Sequence, residues 1–169
     1  VEAAGKPESR STESSYDDLG NRLRSRHVGD AVTQESIFGY AYDSAGNLIE
    51  LTDPEGNISR YAYDAQGKLL SFTDGLGRNW RFTYDAAGRL LGQADPLGQT
   101  RTYAYDKVGN LIDYGDRTGQ VWRYEYDRRG RLSARVDPLG NRARTDYDAD
   151  GNPVRSVDED ARARQYSFD

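Results

Sequence analysis

The sequence predicts an all-β fold: tandem 21-residue β-hairpins pairing side by side into an antiparallel sheet. Three observations predict it. A Tyr-Asp pair begins at Tyr42, Tyr63, Tyr84, Tyr105, Tyr126 and Tyr147, each 21 residues after the one before. Asp43, Asp64, Asp85, Asp106, Asp127 and Asp148 are the second members of these pairs, and a glycine follows each tyrosine by four positions: Gly46, Gly67, Gly88, Gly109, Gly130 and Gly151. A second turn signal keeps the same phase, with aspartate at Asp53, Asp74, Asp95, Asp116, Asp137 and Asp158 and glycine at Gly56, Gly77, Gly98, Gly119 and Gly140. Self-similarity at a fixed short period marks a chain of supersecondary units, each stabilised by its neighbours.

Taken from the N-terminus, residues 1–15 are polar and lie outside the repeat. They read as a flexible lead-in, or as a linker to a preceding domain. The repeat array is expected over 16–169. Its first pair, Tyr16-Asp17, stands 26 residues before Tyr42, so this unit carries five extra residues. They fall in 22–38 (RLRSRHVGDAVTQESIF), expected to form a longer loop or an irregular strand pair.

Each regular unit reads as two strands and two turns. In YDSAG (42–46) the aspartate can bond to backbone ahead of it and the glycine can take positive φ, which makes a tight turn. In DPEG (53–56) and DPLG (95–98, 137–140) proline pre-sets φ and glycine closes the turn. Between the turns, NLIELT (47–52) and NISRYAY (57–63) have strand length and composition. One hairpin alone is barely stable, so successive hairpins must pair edge to edge. In the last unit Ala161 replaces the glycine and Thr145 replaces the aromatic two before Tyr147, which reads as a cap or as drift of the repeat. The chain ends at Phe168-Asp169, a variant of the pair in mid-unit, as expected of a fragment or cleavage product of a longer protein.

Strand alternation gives the sheet two faces. Trp80, Phe82 and Tyr84 share one face, as do Trp122, Tyr124 and Tyr126, and Ser59, Tyr61 and Tyr63. Arg81, Thr83, Arg123 and Glu125 point to the other. The aromatic face is expected to be packed and the charged face wet. Leu48, Leu69, Leu90, Leu111 and Leu132 share one slot of the first strand and should line up as a ladder.

Composition supports a sheet held by rings. Only 36% of residues are apolar and the mean hydropathy is −0.93, yet there are 13 Tyr, 2 Trp and 4 Phe. Aromatic side chains bury a large area each, so a few per strand can hold such a sheet together. The net charge of −5, with arginines and acids interspersed, gives no broad positive field, so neither nucleic acid nor an anionic membrane is the expected partner. With no cysteine there is no disulfide framework. No apolar run approaches the ~20 residues of a transmembrane helix, and VEAAGKPESRSTESS has no signal-peptide core. Export would use no such signal, or one outside this segment.

The pattern YDxxGNL…TDPxGN…YxYD resembles the RHS/YD-repeat family over about residues 16–169. That resemblance implies a long sheet that is curved and spirals into a hollow shell, of which this chain would be a part. In bacterial members the shell commonly encloses a toxic C-terminal domain, as in polymorphic toxins, some loaded on type VI secretion spikes, and in insecticidal toxin complexes. Teneurins use a similar shell in cell adhesion. The expected function is therefore a non-catalytic piece of a shell that encapsulates a toxin or effector domain for interbacterial competition or secretion. Its partners would be the rest of the parent protein and the enclosed C-terminal domain, with a secretion spike protein or self-association through sheet edges as further partners. It would be secreted, delivered from a bacterial cell, or held at the cell surface. The alternative is a cell-surface module that binds carbohydrate or a receptor, with Trp80 and Trp122 as the candidate glycan contacts.

No cofactor, metal site or catalytic residue is expected. His27 is the sole histidine, in the insertion, and no nucleophile signature accompanies it. The many aspartates recur at turns, which explains their number, and nothing singles out a pair with opposed pKa shifts, as glycoside hydrolysis requires. The Asp95-Pro96-Leu97-Gly98 and Asp137-Pro138-Leu139-Gly140 segments match only the turn portion of the self-cleavage region of RHS proteins. Neither calcium-roll nonapeptides nor an EF-hand loop is present. Arg128, Arg129, Arg131 and Arg135 cluster beside tyrosines, in the manner of a base-stacking platform, but the same tyrosines serve the sheet in every unit.

Overall fold

The computed structural model describes residues 11–28 and 35–167. The described residues form fifteen β-strands and no helix, and strand order in the sheet follows chain order, every pairing antiparallel. The fold class is the one the repeat predicts.

The chain divides into two compact units, residues 1–81 and 82–169. The first contains β1 (Ser11–Tyr16), β2 (Arg22–Val28), β3 (Ser36–Tyr42), β4 (Leu48–Thr52), β5 (Ile58–Tyr63), β6 (Leu69–Thr73) and the start of β7 (Asn79–Tyr84). The second contains the end of β7, then β8 (Leu90–Ala94), β9 (Thr100–Tyr105), β10 (Leu111–Gly115), β11 (Val121–Tyr126), β12 (Leu132–Val136), β13 (Arg142–Tyr147), β14 (Pro153–Val157) and β15 (Ala163–Gln165).

Both ends of every hairpin use one turn. At Asp43 the main-chain N–H donates to Asn47 O at 2.9 Å, and Gly46 N–H donates back to Asp43 O at 3.0 Å. At Asp53 the same two bonds, to Asn57 O and from Gly56, are each 3.0 Å. The closing residue sits in the left-handed region, at φ 83° in Gly46 and 84° in Gly56, where a side chain is costly. Proline is therefore an accessory. Asp74-Gly75 and Asp116-Arg117 start the same turn without it. The last turn also forms, with Ala161 held at φ 62° and donating to Asp158 O at 3.0 Å.

Next to the Tyr-Asp turns at Asp17, Asp43, Asp64, Asp106, Asp127 and Asp148 the ladder slips by one residue. Ala41 faces Glu50 while Tyr42 faces Leu48, so Ile49 is extra; the same slip skips Leu70 between Ala62/Ser71 and Tyr63/Leu69. Bulges bend and twist the strand that carries them. They also explain why Ile49 and Leu70 are exposed although their neighbours in the strand are not.

The long first unit begins within the segment read as a lead-in. β1 starts at Ser11 and pairs with β2 from Ser11↔Val28 onward, so the last part of the expected lead-in is paired strand; residues 1–10 lie outside the described residues. Of the two forms expected for 22–38, a longer loop or an irregular strand pair, the described part is a strand pair, β2 with β3. β2 and β3 have seven residues each, against five in β4 and six in β5. Most of the extra length extends the ladder, which gains backbone hydrogen bonds. Residues 29–34, within the expected insertion, and the Phe168-Asp169 pair are outside the described residues.

The two faces alternate as the sequence implies. In β7, Trp80, Phe82 and Tyr84 are half-buried while Arg81 and Thr83 are exposed, and β11 repeats this with Trp122, Tyr124 and Tyr126 against Arg123 and Glu125. The aromatic face is less packed than expected. Only Ser25, Gly92, Gly115 and Ala134 are buried among the described residues. The rings cover one another and the backbone, and the described residues of neither unit enclose a core. The leucine row is also modified: Leu48, Leu69, Leu111 and Leu132 each face the tyrosine of their own hairpin across the ladder.

Candidate functional site

The repeat-defining residues assemble into a structural site at every hairpin. Each Tyr-Asp aspartate (Asp43, Asp64, Asp85, Asp106, Asp127, Asp148) accepts two main-chain N–H bonds on Oδ1, from the residues two and four ahead. At Asp43 these come from Ala45 at 2.9 Å and Asn47 at 2.8 Å, and Oδ2 accepts from Asn47 Nδ2 at 2.9 Å. The glycines at Gly46, Gly67, Gly88, Gly109, Gly130 and Gly151 lie between 78° and 102° in φ. The Asn47 side-chain amide, then its main-chain N–H, hold the Asp43 carboxyl below its usual range. At Asp85 the Arg89 main-chain N–H is the largest cause and the Arg89 guanidinium adds to it. At Asp106 burial pulls upward more than any single bond pulls down, yet the bonds from Asn110, Val108 and Gly109 together win. Each carboxyl that shifts moves downward, the direction that fixes an acceptor and disfavours a general acid.

The tyrosines Tyr42, Tyr63, Tyr84, Tyr105, Tyr126 and Tyr147 close the second strand. Two of them visibly tie one hairpin to the previous one: Tyr126 Oη donates to Leu111 O and Tyr147 Oη to Leu132 O, both at 2.9 Å.

Two arginines, Arg89 and Arg131, take a role that the repeat pattern does not announce. Arg89 Nε donates to Asp85 Oδ2 at 2.6 Å, its Nη1 donates to Asp106 O of the next turn at 3.0 Å, and its guanidinium lies 4.9 Å from the Tyr105 ring centroid. Arg131 repeats this with Asp127 Oδ2 at 2.7 Å, Asp148 O at 3.2 Å and the Tyr147 ring at 4.5 Å. Each one thus staples its own turn to the next. Where Asn47 or Asn110 stands at this position, the side chain reaches only its own aspartate. The missed signal is a doubled period: Arg89 and Arg131 are 42 residues apart, as are Trp80 and Trp122.

The two tryptophans end separate three-ring rows. In the first unit Tyr61, Phe72 and Trp80 stack across β5, β6 and β7 at 5.1 and 5.2 Å between centroids. In the second, Tyr103, Tyr114 and Trp122 cross β9, β10 and β11 at 5.5 and 5.6 Å. Arg78 lies 5.8 Å from the Trp80 ring. Both tryptophans are half-buried, so each keeps part of its surface open to solvent.

His27 contacts hydroxyls. Its Nδ1 is 3.0 Å from Thr12 Oγ1 and its Nε2 is 3.4 Å from Ser25 Oγ, with Phe38 edge-on at 5.8 Å. The position that an orienting carboxylate takes in a hydrolytic triad is held here by the Thr12 hydroxyl. Of the clustered arginines, Arg131 is bound to Asp127, Arg135 to Glu159, and Arg129 to Ala149 O. Among the described residues, no group of three or more His, Cys, Asp or Glu side chains could hold a metal ion. Nor is any helix there long and apolar enough to cross a membrane.

The same hairpin chain occurs in solved structures. The crystal structure of TcdB2-TccC3-Cdc42 matches at 20% identity with a TM-score of 0.63, over 84% of this chain and 9% of that one. The crystal structures of TcdB2-TccC3, and of TcdB2-TccC3 without its hypervariable C-terminal region, match at 21% identity with the same score and the same coverage. At this identity the likeness establishes the fold, and the chain spans about 9% of the length of these relatives. No curated protein is similar in sequence. The family model of the teneurin YD-shell matches residues 5–168, close to the whole chain, and the chain belongs to that family.

Proposed function

We propose that this chain is a stretch of wall in a shell that encloses another part of its parent protein, a toxin or effector domain, and keeps it from its producer until delivery to a competing or target cell. The observation that carries this reading is the hairpin-to-hairpin connection within each unit. Main-chain pairing, tyrosine hydroxyls and the Arg89 and Arg131 staples all serve to join one repeat to the next. The shifted carboxyls, moved down into turn-fixing acceptors, suit a wall rather than a catalyst. A relative whose C-terminal region is called hypervariable fits a constant wall with changing contents. The enclosed domain, a secretion spike protein and a bacterial target belong to this proposal, as does an extracellular or delivered location. Reading the parent gene on both sides tests it. YD repeats continuing for several hundred residues into an unrelated C-terminal domain support the container; a stop codon within a unit or two sinks it.

The half-open ring rows favour a second reading, a surface module that binds glycans or a receptor through Trp80 and Trp122. Glycan-array binding by this chain that disappears in both Trp80→Ala and Trp122→Ala would favour it over the wall.

A further inference from the structure

The ring face changes character at the C-terminal hairpins. Where earlier rows carry Phe72 and Trp80, or Tyr114 and Trp122, the cross-strand partners here are Arg135↔Ala143 and Thr145↔Ser156↔Arg164. Without rings to fill it, the face opens into a groove of about 360 Å³ across β12, β13, β14 and β15. Its lining includes Arg135, Arg162 and Arg164 together with the hydroxyls of Thr145 and Ser156. Glu159, from the final turn, also lines it and is bound to Arg135 from 24 residues away. The Arg135 guanidinium lowers the Glu159 carboxyl's pKa more than any other neighbour does. Arg162 holds Asp160 at 3.0 Å, with both side chains about three-quarters or two-thirds exposed, a pair worth little. Arg164 has no ion-pair partner among the described residues.

We infer that this groove is a binding site for an acidic peptide segment, with Glu159 occupying one carboxylate position from within the chain. Charge complementarity and the seated Glu159 argue for this occupant. Guanidinium forks match carboxylates in shape and charge, the Thr145 hydroxyl supplies a further donor while Ser156 Oγ shares a hydrogen bond with Tyr166 Oη at 3.0 Å, and the residue already bound is a glutamate in an Asp-Glu-Asp run (158–160). An incoming acidic side chain meets Arg164 directly and competes with Glu159 for Arg135. Since the Arg135 and Glu159 side chains are 50% and 31% exposed, that displacement is cheap. This site is separate from the wall-building contacts and stands or falls independently of encapsulation.

Titration of the full chain with hexaglutamate, followed calorimetrically and by amide NMR shifts, tests it. One saturable site is expected, with shifts centred on Thr145, Ser156 and Arg164 and weaker binding as salt is added. Arg164→Gln should weaken binding on the order of tenfold, the effect of losing a hydrogen bond to a charged group. Glu159→Gln should tighten it by removing the internal competitor, while Asp150→Asn, which removes the same charge outside the groove, should leave it unchanged. Absence of saturable binding, shifts centred elsewhere, or equal tightening in Glu159→Gln and Asp150→Asn would overturn the assignment. So would equal affinity for inorganic phosphate, which would make the groove a general anion site.

Discussion

Single residues in this chain act mainly as joints. Arg131 touches its own aspartate, the next turn's carbonyl and the next tyrosine ring, and its side chain is only 26% exposed. Arg131→Ala should therefore lower the free energy of unfolding by about 1–3 kcal/mol in urea titrations, combining a charged hydrogen bond with a partly covered cation-π contact. Arg131→Lys should recover part of this, because Lys68 still reaches Asp64 at 3.3 Å from the equivalent position. The turn carboxylates make a collective prediction about pH. Asp43, Asp64, Asp85, Asp127 and Asp148 all have lowered pKa values in the folded chain. Their contribution is present above the unfolded aspartate value, about 4, and is lost as pH falls through the lower folded values. Urea midpoints should hold steady above about pH 5 and drop together below that, and Asp43→Asn should flatten the slope. The aspartate and glycine roles were legible in the sequence because turn chemistry is local. The Arg89 and Arg131 roles were not, because each depends on a carbonyl 17 residues ahead that only strand pairing brings near.

At the scale of the element, one turn and one bulge recur through the array. The turn tolerates loss of proline and, in the last unit, loss of glycine. Ala161 carries the strain of a left-handed backbone, so Ala161→Gly should stabilise the chain by about 1 kcal/mol, measured as a shift in the urea midpoint. The ring rows should show an order of importance. Phe72 stacks on Tyr61 and on Trp80, whereas Trp80 has one ring neighbour in the row. Phe72→Ala should cost about 3 kcal/mol of stability, and more than Trp80→Ala, despite the smaller side chain. Strand alternation was visible in the sequence because side chains alternate strictly. The bulge was not, because a register slip at Ile49 leaves the residue pattern unbroken. Strand β1 shows no alternation to read, because Ser11–Ser15 carries no apolar side chain; in the structure it pairs with β2.

For the whole molecule, stability comes from nearest neighbours. With four buried residues among those described, neither unit has a core that holds it independently of its ladder, and each hairpin depends on the edges beside it. That dependence suits a wall extended by repetition, and it explains why function could be read only from the period and the family pattern. Among the described residues, no group of three or more His, Cys, Asp or Glu side chains comes together for the sequence to reveal. The measurement that tests the central claim most directly is protease digestion of the full-length parent protein, scored on the segment that follows the repeats. Behind an intact wall this segment should survive, and it should be cut once acid or urea opens the turns. Cutting at the same rate in the intact parent as in the isolated segment would contradict it.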